Sequence, residues 1–422
     1  MKRFTFLIIC IGLMASMGLF AGGQQSASEA QTTLVYWSMW NQTETQGQVL
    51  TQAIRDFEQQ NPGVRVQVNW NGREIRQTLQ PALDQGVTID MWDEDLERVI
   101  LTWGNYALKL DPFFEQSYPT TNNQPYKDVV MGSLLDLARN IAPDGALYAV
   151  PYQPFVFNMM YNKSHFQQAG IQQVPRTWAE FMDAMAKLKA AGFEPMTIDN
   201  AYMDTLPGYY LARAKGPEWV AQLVSDRTNA MWDDPAVLQM ARAFEEMATK
   251  GYFSRTVESN VWPAGQQDLA AGTVSMYLNG TWLVNEIMNT TGPDFPWGTF
   301  AFPEVPGGVT GRTAANYGSQ AFQINKNSAH PELAFKLAVH LTTGRWDEEL
   351  AKRTFGVPVG GTTDWPVQLA DARAIFNSLD THYPWAGGIQ ANPEKLPVII
   401  ENFTRLIAGR ITADQFVNNL KR

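Results

Sequence analysis

Asp144-Gly-Ala-Leu-Tyr-Ala-Val-Pro-Tyr152 decides the fold, together with the segments behind it: Met160-Tyr-Asn-Lys163, Ala169-Gly-Ile171, Thr177-Trp-Ala-Glu-Phe181 and Ala191-Gly192. Asp144-Gly145 makes a tight turn, because glycine accepts positive φ. A short apolar strand then runs into Pro151, which should stop it, and Phe155 to Tyr161 reads as another strand. Thr177 and Glu180 have the spacing of a capping box, and Phe181, Ala184, Met185 and Leu188 recur at helical spacing until Gly192.

The same punctuation extends outward. Leu34 to Trp37 is a β-like run, and Val49, Leu50, Ala53, Ile54 and Phe57 mark an amphipathic helix that Asn61-Pro-Gly63 breaks. Val64, Val66 and Val68 alternate with polar residues as a half-buried strand, completing a βαβ unit. Further strands are expected at Thr273 to Leu278 and Phe322 to Ile324, with a helix from Pro331 to Leu341. Thr412 and Gln415 form a second capping box. The organisation is α/β throughout, with no internal repeat and no linker between independent units.

At 422 residues the chain is too long for one small core, so two lobes are expected. A formal charge of −10 argues against nucleic acid or an anionic membrane as partner. The 14 Trp and 14 Tyr are the compositional oddity, since their flat apolar faces and polar handles suit ligands that are part C–H and part hydroxyl.

Residues 1–23 read as a secretory signal: Lys2 and Arg3, an apolar run from Phe4 to Phe20, then small residues at Ala21, Gly22 and Gly23. The polar Gln24 to Thr32 stretch that follows favours cleavage over an uncleaved anchor, and hence a periplasmic location. The single Cys10 lies inside the apolar run and not just after it, which argues against a lipoprotein anchor. The mature chain would then have no disulfide and no thiolate site.

Catalytic signatures are missing: no His-Glu-x-x-His, no phosphate-cradling Gly-x-x-x-x-Gly-Lys, no Gly-x-Gly-x-x-Gly and no Gly-x-Ser-x-Gly. The four histidines have no metal-ligand spacing, and no metal or cofactor is expected. The acidic run Asp90, Asp93, Glu94, Asp95, Glu97 is the best argument for an enzyme, because a glycosidase needs two carboxylates across a sugar cleft. Carboxylates crowded on one loop are poorly placed to flank a scissile bond. They read either as a solvated turn or as acceptors for ligand hydroxyls beside Trp92, with Asp93 and Asp95 the favoured pair.

In its order of motifs the chain resembles the extracellular sugar-binding proteins of bacterial ABC importers, the maltose-binding-protein-like family. The resemblance rests on the region from Asp144 to Gly192, on Phe57 to Val68, on Asp90 to Asp95, on Ala271-Gly-Thr-Val-Ser-Met276 with Asn279-Gly-Thr-Trp282, and on Ile324-Asn-Lys326 with Ala334 to Leu341. It implies a two-lobed fold with a ligand cleft and three crossings, near Val150, Phe302 and Thr343. Residues 32–150 and 304–343 would form the first lobe, and 151–303 and 344–422 the second.

The resemblance also implies the site. Trp282, directly after Gly280, would be a stacking platform. Trp40 and Glu44 follow the first strand, where relatives present cleft residues. Tyr202 would be another cleft aromatic, Tyr317 and Gly318 a loop approaching the ligand, and Trp385 a gate on a mobile loop. The expected protein is a non-enzymatic monomeric receptor that closes on a mono- or oligosaccharide and delivers it to a membrane permease. The alternatives are a periplasmic glycan hydrolase, or a receptor for a polyamine or a glycerol phosphate ester.

Overall fold

A computed structural model describes residues 32–422, so the proposed signal segment lies outside the described residues. Among the described residues ten strands occur: β1 Thr32–Ser38, β2 Val64–Trp70, β3 Met91–Asp95, β4 Val150–Asn162, β5 Glu194–Thr197, β6 Val274–Gly280, β7 Trp297–Phe300, β8 Ala314–Ala315, β9 Tyr317–Ile324 and β10 Thr381–His382. The main sheet runs β2-β1-β3-β9-β4-β6-β5, with β7 also on β4, and β8 pairs separately with β10. The pairs β2-β1, β1-β3 and β5-β6 are parallel, and those made by β4 and β9 are antiparallel.

One strand, β4, runs through both lobes. Val150 to Val156 pairs with β9, and Phe157 to Asn162 pairs with β6 and β7. Pro151 therefore does not stop the strand as the sequence led us to expect. Among the described residues the first half of β4 has β9 as its only paired strand, so the N–H that Pro151 lacks is not needed for a second pairing. The register slips between Tyr152 and Pro154, where Gln153 takes φ 44°. This β-bulge lies just before the point where the partner of β4 changes from β9 to β6 and β7.

The capping boxes at Thr177/Glu180 and Thr412/Gln415 both form, starting helices Trp178–Ala190 and Ala413–Leu420. Helix Thr45–Gln60 buries Val49, Leu50, Ala53, Ile54 and Phe57 on one face, as its periodicity requires.

Two segments bond across the expected lobe boundaries. Residues 304–316 still belong to the second lobe: the Glu304 N–H donates to the Arg176 carbonyl (2.9 Å), Val309 N–H to the Arg213 carbonyl (2.9 Å) and Asn316 N–H to the Tyr209 hydroxyl (2.8 Å). The chain crosses only as it enters β9.

Likewise, helix Arg345–Thr354 packs on helix Thr45–Gln60 of the first lobe, with Trp346 Nε1 donating to Asp56 (2.9 Å). Gly344, at φ 55°, turns the chain back so that Trp346, Leu350 and Ala351 find apolar cover there. Gly361 N–H still bonds to the Val129 carbonyl (3.0 Å). The third crossing follows Thr363, because Gln368 bonds to the Pro293 carbonyl (3.1 Å) and Asp371 pairs with Lys163 (2.8 Å) on the second lobe.

Candidate functional site

The loops at the carboxyl ends of parallel strands are where α/β sheets hold ligands, and β1 and β2 bring two such loops together. Trp40, just past β1, is almost entirely buried, and its Nε1 donates to the Tyr152 hydroxyl (2.7 Å). Arg73, just past β2, lies over the Trp40 ring, 4.6 Å from its centroid. Its guanidinium also donates to the Met39 carbonyl (2.7 Å) and pairs with Glu44 (3.0 Å). Glu44 is partly exposed and also accepts from the Asn41 N–H (2.6 Å). A stacked Trp–Arg pair edged by a carboxylate thus forms the first wall.

Beneath it lies Asp93, fully buried. It accepts from the Tyr36 hydroxyl (2.9 Å), the Met39 N–H (3.0 Å) and the Tyr152 hydroxyl. Burial pushes its carboxyl up to about 6, against the lowering effect of those donors.

The second wall is aromatic. Trp282 and Trp385 are nearly parallel, 9° apart in plane with centroids at 6.1 Å. Phe155 meets Trp282 edge-on at 5.0 Å, and Phe157 lies behind both indoles at 5.7 and 5.5 Å. Tyr202, nearly buried, closes the row 6.4 Å from Trp385.

Gly280 is what lets Trp282 lie back on the end of β6, because a Cβ there would fall 2.3 Å from the indole. Gly208 does the same for the segment Trp385–Ala391, since its Cβ would sit 1.9 Å from the Ala386 carbonyl oxygen.

Glu286 is exposed on this wall. Loss of water around its carboxyl raises it, while a hydrogen bond from Gln266 (2.8 Å) and the Arg73 charge lower it. Among the described residues no cluster of His, Cys, Asp and Glu could hold a metal ion.

The family model of bacterial extracellular solute-binding proteins matches residues 41–344. The chain belongs to that family. A binding protein of Brucella abortus (strain 2308) is 25% identical over 376 residues, covering 86% of this chain and 85% of the relative. The multiple sugar-binding protein of Streptococcus mutans is 24% identical over 403 residues, covering 89% of each. Among solved structures, RafE of Streptococcus pneumoniae in complex with raffinose superposes with a TM-score of 0.70 at 22% identity, covering 92% of this chain and 98% of that one.

Of the expected site residues, Trp40 and Glu44 gather with Arg73 past β1 and β2, and Tyr202, Gly280, Trp282 and Trp385 gather around Phe157 at the end of β6. Other expected site residues go elsewhere. Trp92 is wholly buried and donates from Nε1 to Gln323 (3.0 Å), so it is core. Asp93 has no free face, because its hydrogen bonds are all internal. Asp95 caps helix Leu96–Trp103 through the Arg98 N–H (3.1 Å), and burial raises its carboxyl to about 7.

Two further members of the acidic run, Glu94 and Asp90, are also committed to structure. Glu94 pairs with Arg76 (2.5 Å) and Arg98 (3.1 Å), and Asp90 binds the Val35 N–H (2.8 Å).

Tyr317 and Gly318 are consecutive in β9 and so face opposite sides of the sheet. Tyr317 packs edge-on to His382 (5.1 Å) and Phe376 (5.9 Å), behind the cleft. Gly318 lies opposite Phe155 and leaves room for its ring. Trp385 lies in the aromatic row, but not on a free gate. Its loop carries three successive left-handed residues, Ala386 to Gly388, pressed onto helices Thr205–Lys215 and Pro217–Ser225.

Reading the sequence missed Arg73, Phe155, Phe157 and Glu286. The first follows a strand end as Trp40 does, and that signal could have found it.

Proposed function

We propose that this solute-binding protein is a carbohydrate receptor for an ABC importer. The observation that carries this is the pairing of an aromatic row, Trp282–Trp385–Tyr202, with a polar stacked wall, Trp40–Arg73–Glu44. Sugar rings present C–H faces that stack on indoles and hydroxyls that bond to carboxylate and guanidinium groups. Relatives known as sugar-binding proteins support the same reading.

The ligand bridges the walls and stabilises the closed form, with the bend at Gln153 and Gly318. The chain acts as a secreted, periplasmic monomer released from its signal segment, leaves its ligand chemically unchanged, and hands it to the permease. A polyamine is disfavoured by Arg73, which would repel a cation at the first wall.

A thermal-shift panel with raffinose, maltose, xylose and chitin oligosaccharides tests this reading. At least one sugar should raise the melting temperature in a concentration-dependent way, and a prolonged incubation should return it intact. A panel with no shift, or a cleaved product, would overturn it.

A further inference from the structure

The carboxylate of Asp93 is buried under the first wall, and among the described residues no cationic side chain pairs with it. Burying an unpaired charge costs stability. Its folded-state value is raised to about 6, above the ordinary carboxylate range. The sign follows: as pH rises from about 4 towards 6 the unfolded chain releases its proton first, so this group lowers stability across that window and the full cost persists above it. At neutral pH the protein nevertheless keeps the charge.

The hydrogen bonds indicate what the charge does. Trp40 Nε1 donates to the Tyr152 hydroxyl (2.7 Å), which can accept this bond while its own proton goes to Asp93. The other carboxylate oxygen takes the Met39 N–H, one residue before Trp40, and the Tyr36 hydroxyl. Tyr152 directly precedes the bulge at Gln153 and stacks on Phe322 of β9 at 4.3 Å. The chain is polarised in one direction, from indole to phenol to carboxylate, which strengthens each link. A proton on the carboxyl oxygen facing Tyr152 would reverse the second link and leave the phenol to accept twice, with its own hydrogen unplaced.

We infer that Asp93 is a positioning residue, which through Tyr152 holds the Trp40 wall and the hinge bulge as one unit. This rests on reading Trp40 as part of the ligand-binding wall. The titratable groups that face Asp93 are Tyr36 from β1 and Tyr152 from β4. Both are phenols that burial keeps protonated. Ser38 and Phe322 are neutral, and Arg73, the nearby cation on this wall, is one step removed, on the Met39 carbonyl.

Protein labelled with 5-fluorotryptophan gives a test that needs no sugar. The Trp40 fluorine resonance, assigned with Trp40→Phe, should titrate with an inflection near pH 6. It should be flat in Asp93→Asn and much reduced in Tyr152→Phe, which keeps the ring and its stacking. A pH-independent wild-type resonance, or a titration that persists in Asp93→Asn, would overturn the inference.

Calorimetry with raffinose at pH 7.5 adds a functional arm. Asp93→Asn should bind about tenfold more weakly, and unchanged affinity would overturn the coupling to binding. If wild-type protein binds no raffinose, that failure belongs to the choice of sugar, and the fluorine titration alone decides.

Discussion

The two walls of the cleft hold their aromatic groups by opposite means. On the first lobe a single indole, Trp40, is fixed by a hydrogen bond to Tyr152, a guanidinium on its face and a buried carboxylate beneath. On the second lobe Trp282, Trp385 and Tyr202 are fixed by packing on Phe155 and Phe157 and by glycines that remove steric bulk. A polar wall responds to charge and pH, whereas a packed wall responds to volume. Three substitutions should therefore separate the two with decreasing effect, and a fourth probes a buried carboxylate outside both walls.

Gly208→Val attacks packing where clearance is least, since any Cβ would collide with the Ala386 carbonyl. It should cost about 3 kcal/mol in urea unfolding and displace Trp385. Wild-type stability would mean that the 385–391 loop yields, and the second wall is softer than described.

Trp282→Ala removes the centre of the aromatic row. Because the residue is half-buried on Phe155 and Phe157, the change should lower stability by about 1–3 kcal/mol and weaken sugar affinity roughly tenfold to a hundredfold. Calorimetric titration and thermal melting of the same variant measure both. A loss of stability with unchanged affinity would make Trp282 a core residue and shift the site towards Trp40.

Arg73→Ala should act in the reverse proportion. Its pair with Glu44 is partly exposed, so stability should fall by less than about 1 kcal/mol, while affinity falls several-fold and the salt dependence of binding weakens. A large stability loss would make Arg73 a structural clamp.

The smallest effect is one of pH. Asp347, buried and accepting from Val359 N–H, Gly360 N–H and the Thr363 hydroxyl, is pushed up to about 6 by burial. Its protonated form is thus favoured in the folded state, and the wild type loses stability relative to Asp347→Asn as pH rises from about 4 to 6. Wild-type stability minus that of Asp347→Asn should be smaller at pH 7 than at pH 4 in urea denaturation, and a difference that grows with pH would reverse the assignment.

Local chemistry was legible in the sequence, and choices between faces were not. The capping boxes and the apolar stripe of helix Thr45–Gln60 depend on neighbours within a few residues, so they could be read directly. The close approach of Trp282 to the end of β6 could be read too, because Gly280 before it leaves room for the indole.

Trp92 and Asp93 are harder, since they occupy a central strand covered on both faces, where alternation does not say which side meets a cleft. Pro151 misled because its tolerance depends on β4 having one strand neighbour there, a fact of tertiary pairing. The later third crossing follows from the Gly344 turn and the apolar seat that helix Thr45–Gln60 offers Trp346, contacts between segments about 300 residues apart.

The central claim is that one cleft, hinged at Gln153 and Gly318, closes when sugar joins the two walls. Small-angle scattering with and without the sugar that most raises the melting temperature tests it most directly. A smaller radius of gyration at saturation, lost in Trp282→Ala at the same sugar concentration, is the predicted result. An unchanged scattering profile with the site demonstrably full would contradict it.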